Sequence, residues 1–142
     1  MSEEHARRLT SGWQRTPTVG EWTILLSPAF KTIDNGDSWQ AYSGDRVIYV
    51  SSLCVGDPNG RRTPAKALRA AAARTFTEPN LRRLSHDHGA VYGDAEIRLE
   101  GTVWRLRGHM CADGVVATCV VDYPRQQDEA WAVATWESLD HP

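Results

Sequence analysis

The chain has 142 residues, 41% hydrophobic and 24% charged, with a formal net charge of −2. That length suits one domain, with a core over 20–139 and an N-terminal helix over 2–14, and it needs no disulfide or metal staple. The small net charge excludes a polycation that grips nucleic acid or anionic lipid with its whole surface.

The N-terminal MSEEHARRLTSGW has no apolar run, and no stretch is apolar for long enough to span a membrane. The three cysteines, Cys54, Cys111 and Cys119, are odd in number and sit in apolar stretches, which suits reduced thiols. These features predict a cytoplasmic protein with no membrane contact. Arginine outnumbers lysine 14 to 2 and Ala70–Ala73 is an alanine run, a bias resembling proteins of GC-rich bacteria.

Ser2 is placed to cap a helix whose first turn holds Glu3 and Glu4. Glu4 with Arg8, and Leu9 with Trp13, give it an ionic and an apolar face, and Pro17 and Gly20 end it. Trp22–Ser27 reads as a strand stopped by Pro28, and Asp34–Asp37 as a turn. Ser38–Ser43 and Arg46–Val55 read as a hairpin, because Gly44 at the first central position suits a type II′ turn. That register opposes Tyr42 to Val47 and Gln40 to Tyr49. The second strand is apolar on both sides, which predicts a central place in its sheet.

Asp57–Gly60 is a loop. Thr63 and Pro64 form an N-cap and first-turn pair that opens a helix through Phe76, with Leu68, Ala72 and Phe76 as its buried stripe. A turn or short helix follows from Pro79 to Leu84, and Ser85–Gly93 reads as a loop. From Ala95 apolar and polar residues alternate, and the apolar parity switches across Glu100–Thr102, which requires a turn or bulge. A hairpin tipped by Glu100 and Gly101 sets Glu96 opposite Arg105 and Asp94 opposite Arg107. Ala112–Val115 reads as a type I′ turn. It pairs Cys111 with Val116, His109 with Thr118, Gly108 with Cys119, Leu106 with Val121 and Trp104 with Tyr123. Arg105 then faces Asp122, away from the core side. Pro124–Asp128 is a turn, and Ala130–Trp136 reads as a last strand, with helix the alternative its alanines leave open. The result is an α+β fold: a single antiparallel sheet of about six or seven strands with helices packed on it, α/β/α sandwich-like.

Two passages carry a resemblance: DRVIYVSSLCV followed by an alanine-rich helix, and EGTVWRLRGHMCADGVVATCVVDY followed by AWAVATWESL. Over Trp22–Leu139 their element order resembles the PsbP-like fold shared with the Mog-type Ran-binding proteins. The resemblance implies an α/β/α sandwich without catalytic machinery, used for binding protein partners. Small size, acidity and six tryptophans also resemble the immunity proteins that neutralise bacterial toxins.

His86-Asp87-His88 offers two metal ligands, with His109, Cys111 or Asp113 to complete a site, although a lone His-x-His more commonly marks a polar surface loop. Cys111 points outward beside His109, the arrangement of a thiol–imidazole pair, whereas Cys54 and Cys119 read as small buried hydrophobes. These residues define one alternative, a metal-dependent or cysteine enzyme. Serine-hydrolase, phosphate-loop, dinucleotide and HExxH signatures are absent.

Charge placement singles out one segment. Residues 61–83 hold Arg61, Arg62, Lys66, Arg69, Arg74, Arg82 and Arg83 against Glu78 alone, a net of +6, so the remainder carries −8. The apolar stripe turns Lys66, Arg69 and Arg74 to solvent. The seven are candidate partner-binding residues for a protein with an acidic surface, and arginine suits bidentate contact with carboxylates. Nucleic acid on this segment is the second alternative, without the interleaved aromatics that stack bases. Trp13 and Trp39, near element ends, are candidate exposed anchors. The expected function is a non-enzymatic protein-binding module of adaptor or immunity type, with no cofactor and no catalytic residue assigned.

Overall fold

The computed structural model describes residues 3–76 and 82–142. In chain order the elements are α1 (Glu3–Leu9), β1 (Gln14–Pro17), β2 (Thr23–Leu26), β3 (Lys31–Asp34), β4 (Ser38–Ser43), β5 (Arg46–Cys54), α2 (Ala65–Ala73), β6 (Arg82–His88), β7 (Val91–Glu100), β8 (Val103–Ala112), β9 (Val115–Tyr123) and α3 (Glu129–Glu137). Seven strands form an antiparallel sheet in the order β3-β4-β5-β9-β8-β7-β6, and β1 pairs with β2 in a separate hairpin. Among the described residues strand dominates, and the three α-helices are short.

Glycines at positive φ set the registers. Gly44 (φ 56) joins β4 to β5 and gives the predicted pairs Tyr42–Val47 and Gln40–Tyr49. Gly101 (φ 64) takes the same first central position between β7 and β8, so the tip is Gly101–Thr102 and Glu100 pairs with Val103. The expected pairs of Glu96 and Asp94 therefore slip along β8, to Glu96–Arg107 and Asp94–His109. The β8–β9 register is as predicted, Arg105–Asp122 included. Its turn is not type I′, because Gly114 (φ 78) has a positive φ and Asp113 does not.

Other expectations are corrected by local causes. The first helix stops at Leu9 rather than 14, ahead of Gly12 at φ 81, and 14–17 pair with β2. Its proposed cap, Ser2, lies outside the described residues. Lys31–Asp34, exposed along its whole length and so without alternation, is the β3 edge strand. Ser85–Gly93 is not a loop but the middle of a β6–β7 hairpin turning at Gly89 (φ 66). The polar RRLSHDH is tolerated there because β6 is the other sheet edge. Of the turn expected over Pro79–Leu84, 79–81 lie outside the described residues and 82–84 are strand. Ala130–Trp136 belongs to a helix, α3, and not to a strand. Trp131, Ala132, Ala134, Thr135 and Trp136 are all buried, so α3 lacks the polar stripe that identifies a surface helix.

The helices lie on opposite sides of the sheet. On the α3 side, Ile48, Val50, Ile97, Leu106, Met110 and Val121 join Trp22 and Ile24 of the β1–β2 hairpin region and Trp136 in the main core. Gly108 makes a notch there: a Cβ would stand 2.5 Å from Trp136 Nε1, and that indole donates to His109 O at 3.2 Å. On the other side, Ala65 and Leu68 of α2 pack on Cys111, Tyr92 and Val116. Thr63 does not cap α2. Pro64 holds the N-cap position, and Ala65 N donates to Asp113 Oδ1 at 2.9 Å, so the cap comes from the β8–β9 turn. Trp39 is buried and Trp13 is half-buried against the core, which removes both as exposed anchors. No helix among the described residues is long and apolar enough to cross a membrane.

Candidate interaction surface

α2 covers only part of its side of the sheet, packing on β7, β8 and β9. Following the register outward on that side, one row runs Arg107, Val120, Tyr49, Gln40, Ile33. The next runs Arg105, Asp122, Val47, Tyr42, Lys31. Tyr49 and Ile33 are each 42% exposed, and Leu53, on the same side of β5, is 66% exposed. β5 is central in the sheet, as predicted, but only its even-numbered side is buried. A shallow groove of about 250 Å³ crosses this open half, with Gln40, Tyr49, Thr118 and Val120 in its lining. Sequence reasoning missed this surface. The signal was the company these residues keep, since Gln40, Ser51 and Thr118 share their side.

Basic residues lie on and around the covered half, with Arg107 at its boundary with the open rows. Lys66 on α2, Arg74 at its C-cap, Arg83 on β6 and Arg107 on β8 are exposed. Lys66 Nζ lies 5.6 Å from the Tyr92 ring centroid, and Arg83 Cζ lies 5.7 Å from that of Phe76. Phe76 stacks in turn on His109, with centroids 5.3 Å apart and planes 16° from parallel. At the far end Arg105 is neutralised: it donates to both Asp122 oxygens, at 2.7 and 3.0 Å, and to Glu100 at 2.7 Å.

Arg69 is instead turned toward the sheet and only partly exposed. Its Nε and Nη2 donate to the two Asp94 oxygens, each at 3.2 Å, and Ser85 Oγ donates to Asp94 Oδ1 at 2.8 Å. The cause is the slipped β7–β8 register, which sets Asp94 beside His109 within reach of α2. His109 is 5% exposed, and its Nε2, 3.6 Å from Asp94 Oδ2, has no hydrogen-bond partner. Burial holds the His109 pKa below its usual value, against the pull of Asp94. Burial also works to raise the Asp94 pKa, but the hydrogen bonds from Arg69 and Ser85 outweigh it and hold the carboxyl below its usual range.

The proposed metal set is divided by the sheet. His86 pairs with Gly93 and so stands on the Met110 side, where its ring meets Trp136 edge-on and Nδ1 lies 3.4 Å from Glu137 Oε2. His88 shares that side, with ring centroids 6.1 Å apart. His109 and Cys111 face α2, so the two pairs cannot converge on one ion. Burial pushes the Cys111 and Cys119 thiols up to about 12, which keeps both protonated at neutral pH. Cys54, expected inside, is exposed.

Arg61 and Arg62 stand apart from the α2 residues. They lie on the loop before α2 and line a cleft of about 430 Å³ with Cys54, Glu21 and His141. Arg82 opens β6, and its side chain lies outside the described residues. No family model matches the chain, and no curated protein matches it. Its fold is similar to that of a solved structure from Bacteroides thetaiotaomicron VPI-5482, with a TM-score of 0.59 at 10% identity, over 86% of this chain and 45% of that one. The chain thus spans less than half of that protein's length, and the likeness is one of fold.

Proposed function

We propose that this chain is a non-enzymatic protein-binding module, an adaptor or immunity protein akin to the PsbP-like and Mog-type fold, whose partner docks on the open half of the α2 side. The observation that carries this reading is the uncovered run of Ile33, Tyr49 and Leu53 on the side of the sheet away from the main core. Interfaces combine exposed aromatic and aliphatic side chains with a polar rim. Arg107, paired with Val120 at the boundary of that half and exposed, gives the rim a positive charge for a carboxylate of the partner.

The test is co-purification from the source organism with the tagged chain and with a Tyr49→Asp, Leu53→Asp variant. The expected result is a stoichiometric protein partner that the variant loses while its melting temperature is unchanged. A chain that stays alone, or a partner retained by the variant, ends this reading. Material released by nuclease instead assigns the face to nucleic acid.

A further inference from the structure

The cleft beside Arg61 and Arg62 opens on the even-numbered side of β5, where Ser52 accepts a hydrogen bond from Trp22 Nε1 at 3.2 Å. Tyr49 and Leu53 stand on the other side, so the cleft is separate from the interaction surface. Its volume, about 430 Å³, falls within the range of small-molecule sites.

The loop that carries the two arginines is pinned at several points. Val55 N donates to Gly114 O at 2.8 Å, and Gly114 N donates to Thr63 O at 2.7 Å. Asp57 N donates to Arg61 O at 3.0 Å, while Asp57 Oδ1 accepts from Asn59 N and Arg61 N, each at 2.9 Å. The Arg62 stem is seated on Gly114, where any Cβ would lie 2.8 Å from Arg62 Cβ and Cγ. A ligand therefore meets two guanidiniums on an ordered backbone, with little ordering left to supply on binding.

Of the carboxylates in the cleft, Asp113 Oδ1 takes the Ala65 N–H, and Glu21 is largely exposed with His141 Nε2 3.7 Å away. Among the described residues no ion pair forms to Arg61 or Arg62. Two consecutive arginines that both line the cleft without an ion pair suit an oxyanion, which guanidiniums hold by charge-assisted, bidentate hydrogen bonds. We infer that this cleft is a binding site for a small molecule bearing a carboxylate or phosphate group, held by Arg61 and Arg62.

Cys54 supplies the readout, because it is exposed in the cleft while Cys111 and Cys119 are buried. Alkylation of Cys54 by iodoacetamide is followed by intact mass at constant ionic strength, with citrate, pyrophosphate or sodium chloride present. Citrate or pyrophosphate is expected to slow Cys54 several-fold in a saturable way, and the stronger of the two identifies the carboxylate or phosphate class. The Arg61→Gln, Arg62→Gln variant keeps the stem that packs on Gly114, and it is expected to lose the protection while melting normally. If neither anion slows Cys54 more than chloride, if slowing does not saturate, or if the variant keeps its protection, the site is refuted.

Discussion

The two sides of the seven-stranded sheet come from the same strands but are closed in different ways. On the α3 side, a helix buried around most of its circumference packs on β8 and β9, and an indole fills the notch left by Gly108. On the α2 side, a helix with Ala65 and Leu68 as its buried residues is held by a guanidinium–carboxylate pair, and half the sheet stays open. The contrast teaches that one sheet can carry its larger core on one side and leave apolar side chains uncovered on the other. Trp136→Ala is expected to cost about 3–5 kcal/mol, since it empties a large buried volume. Leu68→Ala on the other side is expected to cost no more than about 2–3 kcal/mol, near the low end for leucine. Urea denaturation of both variants orders them, and a larger loss for Leu68→Ala inverts the comparison.

Gly108→Ala attacks the same packing from the strand. The added Cβ meets the Trp136 ring and, at 3.0 Å, the Ala95 Cβ, so either the helix or the neighbouring strand must yield. Overpacking of this kind costs about 1–3 kcal/mol. Pairing it with a smaller residue at Trp136 sharpens the point: the double variant should lose less than the two single losses added together, because the clash partner is gone. Additive losses show that Gly108 serves some other contact.

Arg69→Glu sets a carboxylate against Asp94 beneath α2 and is expected to cost about 1–3 kcal/mol, a range reduced from that of a fully buried pair because Arg69 is partly exposed. Arg74→Glu, at the C-cap of the same helix and exposed, is expected to stay within about 0.5 kcal/mol. Denaturant midpoints of the two variants separate a structural arginine from a surface one. Equal and small effects place Arg69 with the surface residues and remove the ion pair from the account of how α2 is held.

The difference between these arginines marks where the sequence stops being legible. The β4–β5 and β8–β9 registers follow from Gly44 and from the spacing around Gly114, because turn geometry is local. The β7–β8 register depends on which residue of Glu100-Gly101-Thr102 takes positive φ, and placing Gly101 second instead of first moves Asp94 away from His109. Arg69 then looks free, although its partner lies 25 positions along the chain. α3 is illegible for a different reason. A helix buried on most sides has the composition of a buried strand, and only the room above Gly108 shows that a helix fits. Cys54 reads as interior because its strand is central, and nothing local reports that β5 leaves Leu53 uncovered on one side and opens on a cleft at its end.

The smallest expected effect is a pH dependence confined to the α2 side. The His109 ring is faced by Arg69 from α2, Phe76 from the segment just after it, Asp94 from β7, and Thr118 from β9, with Cys111 beside it on β8. Burial holds its folded pKa below the ordinary 6.5, so the unfolded chain takes up the proton first. Its contribution to stability is therefore full above 6.5 and is lost as pH falls through that value toward the folded one. Asp94 acts in the same direction lower down. Its carboxyl is held below the usual 3.8, so its contribution persists until the pH drops under that value. His109→Leu removes the titrating ring and its unpartnered Nε2 while keeping an apolar surface for Phe76. Between about pH 7.5 and about pH 5.5 the original chain should lose more stability in urea than the Leu variant, because only its unfolded state gains this proton readily. Equal losses mean that Asp94 draws the proton onto the folded ring as easily as water does in the unfolded chain. The polar closure of the α2 side would then be indifferent to acid over that range.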